Sequence, residues 1–220
     1  MTKPIQGFFF RDFSQTYMPE ILKEIYRDRV YDAQLGGKKD LVIADFGANI
    51  GLWTYFAYDK SSKIYSLEPS KEHFECLVTM LSTNNMLDKV TPIQKAISNV
   101  NGTAKFYHNE NTTMYSLNKA VNTKGEFEEV ETITLEKFFE DNKIDHLNFM
   151  KIDVEGTESI IFGSSGFEAV KDKIDVIMGE FHTWTGLNPK QFENYFRDRD
   201  FTFEWVNKTE ASLFLSERIK

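Results

Sequence analysis

The chain has 220 residues, of which 41% are hydrophobic and 20 are phenylalanine, and its 26 basic and 34 acidic side chains give a formal charge of −8. Such figures fit one large α/β domain, exclude a disordered chain and argue against wrapping a nucleic-acid backbone. The single cysteine, Cys76, excludes an intramolecular disulfide framework and any zinc or iron–sulfur centre built on cysteines. No apolar stretch approaches the roughly 18 residues of a membrane-spanning helix, and the first apolar run stops at Arg11 and Asp12 without a cleavage-site pattern. A cytoplasmic protein is expected, with neither membrane nor nucleic acid as partner.

In chain order, Phe8, Phe9, Phe10, Phe13 and Tyr17 precede a helix predicted over residues 19–27, with Ile21, Leu22 and Ile25 on one face. Residues 1–40 form an N-terminal helical and aromatic extension. Its rings either pack the helix against the rest, close over a pocket as a lid, or make a dimer contact. Residues 41–220 form the main domain. Strands are predicted at 41–46, 63–67, 90–97, 147–152 and 174–181; the first and last of these are too apolar to have a solvated face, as in the interior of a parallel sheet. Helices alternate with them. The clearest, over 70–84, has Phe74, Leu77, Val78 and Leu81 at helical spacing with Ser70 as N-cap; others are predicted over 134–141 and, with Asn188 as cap and Pro189 at its first position, over 189–197. Residues 102–108 are expected to return in a hairpin after Asn101-Gly102. The end of the chain, 201–206 and 211–216, reads as an antiparallel pair because the connection is so short. The pattern predicts a doubly wound, mostly parallel sheet with one reversed strand and helices on both faces.

The strongest local signal is Asp45-Phe-Gly47-Ala48-Asn49-Ile-Gly51, directly after the first strand. Glycines there let the chain turn sharply and let a ligand approach backbone. The spacing departs from G-x-G-x-x-G, which argues against a dinucleotide, and Asp45 suits a ligand with a cationic end. Glu68 ends the second strand about 20 residues later, where an acidic side chain accepts hydrogen bonds from ribose hydroxyls. Together they describe a nucleoside crevice at the switch point of an open sheet.

With Leu67-Glu-Pro69 and Lys151-Ile-Asp153-Val-Glu155-Gly-Thr-Glu158, this loop resembles the FkbM-type family of S-adenosylmethionine-dependent methyltransferases, the resemblance running from about Leu41 to His182. It implies a class I, Rossmann-like methyltransferase fold with a seven-stranded sheet. It also implies that Gly47, Ala48 and Asn49 lie against the methionine part of S-adenosylmethionine, with Asp45 ordering the loop or taking the ammonium. Glu68 would hold the ribose, Pro69 and Ser70 would border the adenosine, and Ala96 and Ile97 would flank the adenine. Asn99 stands where relatives often carry Gly or Asp.

Asp153, Glu155, Glu180 and His182 fall at carboxyl ends of strands, the edge where open α/β sheets bind ligands. Methyl transfer to a neutral hydroxyl requires removal of its proton, and His182, near its ordinary pKa, is the expected base with Glu180 orienting it. Asp153 and Glu155 position substrate and ammonium, or, as the less favoured alternative, hold a divalent cation; Glu155 could instead merely cap the helix that follows. Lys151 is expected as a salt-bridge partner, and His73, His108 and His146 as surface or structural groups. Tyr115-Ser116 is a second lid candidate. The expected activity is O-methylation of a sugar or other small-molecule hydroxyl; an N-methyltransferase of a small amine and a noncatalytic nucleoside-binding protein remain as alternatives.

Overall fold

A computed structural model describes residues 22–110, 114–121, 124–207 and 211–219. Its strands are β1 (Leu41–Phe46), β2 (Ser61–Leu67), β3 (Val90–Ile93), β4 (Ala96–Ser98), β5 (Gly102–Tyr107), β6 (Phe127–Thr134), β7 (Leu147–Ile152), β8 (Ile174–His182), β9 (Glu204–Trp205) and β10 (Ala211–Glu217). Seven of them form one sheet in the order β3-β2-β1-β7-β8-β10-β9. Pairing is parallel from β3 across to β8, and β10 runs antiparallel to both β8 and β9. The expected mostly parallel sheet with a reversed strand near the C-terminus is therefore present.

Period-two alternation explains why this sheet needs cover on both faces. On β1, Ala44 and Phe46 enter a core with Phe138, Phe162, Phe192 and Phe214, while Ile43 enters a second core with Trp53, Leu77 and Met178. The helices Leu135–Asp141, Glu158–Phe162 and Pro189–Arg197 line the first core, and Leu52–Tyr58 and Lys71–Thr83 line the second. Asn188 acts as the expected cap, accepting from the Lys190 amide, and Thr134, expected as the first helical residue, instead caps its helix by accepting from the Lys137 amide. Ser70 occupies the cap position of its helix without a side-chain cap hydrogen bond.

Two expectations need correction. The run 90–97 is not one strand. β3 pairs with β2 at the sheet edge, where Pro92 removes no needed donor, and β4 leaves for a separate three-stranded sheet, β4-β6-β5. Nor does β5 fold back on β4; it pairs antiparallel with β6, which separates the two. Asn101 supplies the link instead, its side-chain oxygen accepting from the Thr134 amide at 2.9 Å.

Of the predicted N-terminal helix, Lys23–Arg27 forms one π-helical turn. Phe8, Phe9, Phe10, Phe13, Tyr17 and Ile21 lie outside the described residues. What is described packs into the second core through Ile25, Tyr31 and Leu35, with Tyr31 edge-on to Trp53. No helix of the described residues is long and apolar enough to cross a membrane.

Candidate active site

Two loops at the carboxyl edge of β1 and β7 meet through their backbones. Gly47 has a φ of +77°, and a Cβ there would lie 1.8 Å from the Asp153 carbonyl oxygen. Only glycine permits this approach. The Asp153 amide in turn donates to the Phe46 carbonyl at 3.0 Å. On the other side, the Gly47 and Ala48 amides both donate to the Leu67 carbonyl. The loop is closed by Glu68: its Oε2 accepts from the Asn49 amide and its Oε1 from the Ser70 amide, both at 2.9 Å. Asn49 itself has a left-handed φ of 50°. One buried carboxylate thus ties the glycine loop to the start of the helix Lys71–Thr83. Each oxygen retains a further lone pair for a ligand.

Asp45 is fully buried beneath this loop. Its Oδ2 accepts from the Thr54 hydroxyl at 2.6 Å, and its Oδ1 lies 3.6 Å from Lys151 Nζ. Burial raises its carboxyl above the usual range, against the pull of Lys151. Lys151 also donates to the Gly47 carbonyl at 3.0 Å and pairs with Asp153 Oδ2 at 3.4 Å. Burial alone would lower the ammonium, but Asp153 and Asp45 outweigh it and the net shift is upward. These partners tie Asp45 to the helix Leu52–Tyr58 after the loop and to β7.

The second cluster surrounds His182 at the end of β8. Its Nδ1 lies 3.0 Å from Glu158 Oε1, and its Nε2 lies 3.2 Å from Glu155 Oε2 and 3.7 Å from Glu180 Oε2. Burial would lower the imidazole, yet the charge and hydrogen bond of Glu158, with Glu155 behind, carry it up to about 10. Burial likewise lifts Glu155 to about 8, partly opposed by His182, and raises Glu180 well above its ordinary value with Asp153 and Glu24 adding to it. His182, expected as a base near its ordinary pKa, instead has three carboxylates around its two ring nitrogens, and these favour its charged form.

Glu158, which closes the Lys151–Glu158 motif, belongs to the site as well, although its residue type and position alone do not mark it. It is fully buried, and its Oε1 also accepts from the Val154 and Gly156 amides at 3.2 and 3.1 Å. Glu158 therefore binds the turn amides, a role considered for Glu155, and it rather than Glu180 holds the Nδ1 face of His182. Glu24 is a further member that no motif marks. From the N-terminal turn it reaches toward Tyr31 at 3.5 Å, and burial with nearby Asp153 raises its carboxyl.

The remaining expected residues fall in several different surroundings. Pro69 and Ser70 are buried beside Glu68. His73 is buried too, not on the surface, with Nδ1 3.8 Å from Glu68 Oε1. Tyr115 stacks on both His108 and His73, at centroid distances of 4.3 and 5.3 Å. Ala96 shares a small cluster with Tyr115, Phe106 and Val130, whereas Ile97 lies in the first core. Ser116 donates to the Glu155 carbonyl, so the Tyr115-Ser116 segment is joined to the loop after β7. Gly51, with a φ of +93°, abuts Met80 and Leu77 and serves helix packing. One atom each from Asp153, Glu155 and His182 lie within 4.8 Å of one another, a spacing that can hold a metal ion.

Comparison with known proteins bears on the family and the fold. A family model described as the methyltransferase FkbM domain matches residues 45–203. No curated protein matches the chain. Among solved structures, the chain is similar to a putative rRNA-methylase from Clostridium thermocellum, with 10% identity, a TM-score of 0.56 and coverage of 88% of this chain and 95% of that one. It is similar to a precorrin-6y C5,15-methyltransferase from Geobacter metallireducens GS-15, with 13% identity, a TM-score of 0.56 and coverage of 99% and 98%. A third likeness is to TrmK of M. capricolum in complex with S-adenosyl-homocysteine, with 10% identity, a TM-score of 0.52 and coverage of 86% and 66%. At these identities the likenesses speak for a shared fold, that of class I methyltransferases.

Proposed function

Because the chain belongs to the FkbM methyltransferase domain family, we propose that it transfers the methyl group of S-adenosylmethionine to a hydroxyl of a sugar or other small molecule. The observation that carries this reading is the juxtaposition of two parts on one sheet edge. One is a glycine loop fastened to Glu68, and the other is a carboxylate cluster around His182.

In this reading the Glu68 carboxylate accepts the ribose hydroxyls, with Pro69, Ser70 and Ala96 beside the adenosine. Gly47, Ala48 and Asn49 pass against the methionine part, and Asp45 and Lys151 act through the loop as positioning residues. The acidic edge attracts a sulfonium, whose positive charge also draws down the raised carboxyls. Transfer is an in-line displacement: the acceptor oxygen bonds to the methyl carbon as the sulfur–methyl bond breaks and the sulfonium becomes a thioether. The hydroxyl proton passes to Glu180, the cluster carboxylate only loosely paired with His182. Much of the rate comes from positioning the two reactants.

The same cluster argues for oxygen over nitrogen. Six carboxylates, Glu24, Asp45, Asp153, Glu155, Glu158 and Glu180, face two cations, Lys151 and His182. They would hold an amine in its protonated, non-nucleophilic form. The net charge of −8 supports a small acceptor over a nucleic acid. The test is transfer of isotopically labelled methyl from S-adenosylmethionine to a panel of glycans, small alcohols, small amines and RNA. Label in an alkali-stable ether is the expected result; label confined to amines or RNA would refute the hydroxyl assignment.

A further inference from the structure

The ligating atoms of Asp153, Glu155 and His182 lie within 4.8 Å of one another, and they come from two adjacent structural units, the loop after β7 and the end of β8. Two further observations point to a missing cation. Glu158, wholly buried, accepts from the Nδ1 side of His182, which turns Nε2 toward Glu155 and Glu180. A carboxylate behind a histidine is the usual way a metal-binding imidazole is oriented. Moreover, Asp153 Oδ1 is buried with no hydrogen-bond partner among the described residues, and such an oxygen is rare without an ion or donor beside it. Lys151 cannot serve this need, since it is already engaged with Asp45, Gly47 and Asp153 Oδ2.

We propose that Asp153, Glu155 and His182 Nε2 bind one divalent cation, with Glu180 close enough to add an oxygen through a bound water. One nitrogen with carboxylate oxygens suits a first-row ion such as Mn²⁺ better than Ca²⁺. The site stands on its own geometry; only its use rests on the function proposed above. There the cation would bind the acceptor hydroxyl and ease its deprotonation, the proton leaving to Glu180 while the oxygen takes the methyl group.

Equilibrium dialysis and electron paramagnetic resonance with Mn²⁺ on the ligand-free, EDTA-treated protein test this directly. The expected result is about one Mn²⁺ per chain, weakened at least tenfold by Glu155→Gln and by His182→Gln. If Glu155→Gln fails to fold, Asp153→Asn provides the same comparison. Absence of stoichiometric Mn²⁺ binding at millimolar concentration, or binding unchanged in folded variants, would overturn the proposal. Calorimetry with S-adenosylhomocysteine on the metal-free protein separates the two claims: cofactor binding without Mn²⁺ binding removes the cation site and leaves the methyltransferase reading in place.

Discussion

At the scale of single residues, the site is a set of carboxylates whose partners decide their roles. Glu158 shows this most clearly, because one oxygen holds His182 and two backbone amides at once. Glu158→Gln keeps the shape but removes the charge that sustains the imidazolium. We expect kcat to fall by roughly 10- to 100-fold, as for other orienting partners in active sites, with little change in cofactor affinity. Steady-state kinetics beside calorimetry would check it; equal losses in both would indicate a general collapse of the fold. Glu68→Ala should act in the opposite sense. It leaves the Asn49 and Ser70 amides without their acceptor, at about 1–3 kcal/mol each where water cannot replace it. Cofactor affinity should drop at least tenfold, and unaltered affinity would remove Glu68 from the crevice.

At the scale of elements, the loops act because backbone touches backbone. A methyl group at Gly47 would meet the Asp153 carbonyl at 1.8 Å while the residue is held at a φ of +77°. Gly47→Ala should therefore separate the β1 and β7 loops, abolishing cofactor binding and lowering the melting temperature together; wild-type cofactor affinity in a folded Gly47→Ala protein would contradict the packing described. Much at this scale was readable from the sequence. The cap at Asn188, the glycine loop and the reversed C-terminal pair are local patterns with local causes. The division of residues 90–97 between two sheets was not, because a β-rich run does not reveal which neighbour it pairs with. Likewise the carboxylates that raise His182, namely Glu158, Glu155 and Asp153, share one segment after β7 while His182 ends β8, and no motif states that the two meet. The contribution of Glu24 depends on how the N-terminal turn docks through Ile25 and Tyr31.

At the scale of the whole molecule, two cores of different character hold the sheet. The first is a phenylalanine assembly in which Phe192 contacts Phe162, Phe181, Phe196, Phe203 and Phe214. Phe192→Ala should cost about 3–5 kcal/mol, readable as a lower urea midpoint, and a loss under 1 kcal/mol would show that the rings repack. The acidic edge makes stability depend on pH in a defined direction. Glu155 at about 8, Glu180 well above its ordinary value and His182 at about 10 all bind protons more tightly in the folded state. Their contributions are present at low pH and are lost as pH rises through the folded-state values. In EDTA, the urea midpoint of the ligand-free protein should fall between pH 6 and pH 9, and Glu180→Gln should flatten the slope. A midpoint that rises over that range would contradict the burial of these carboxyls.

The central claim is that the crevice between the glycine loop and Glu68 binds the methyl donor. Its most direct test is calorimetric titration of the wild-type chain with S-adenosylhomocysteine and, separately, with nicotinamide dinucleotides. Saturable one-to-one binding of S-adenosylhomocysteine alone, lost in Gly47→Ala, is the predicted result. Binding of a dinucleotide with none of S-adenosylhomocysteine would contradict it.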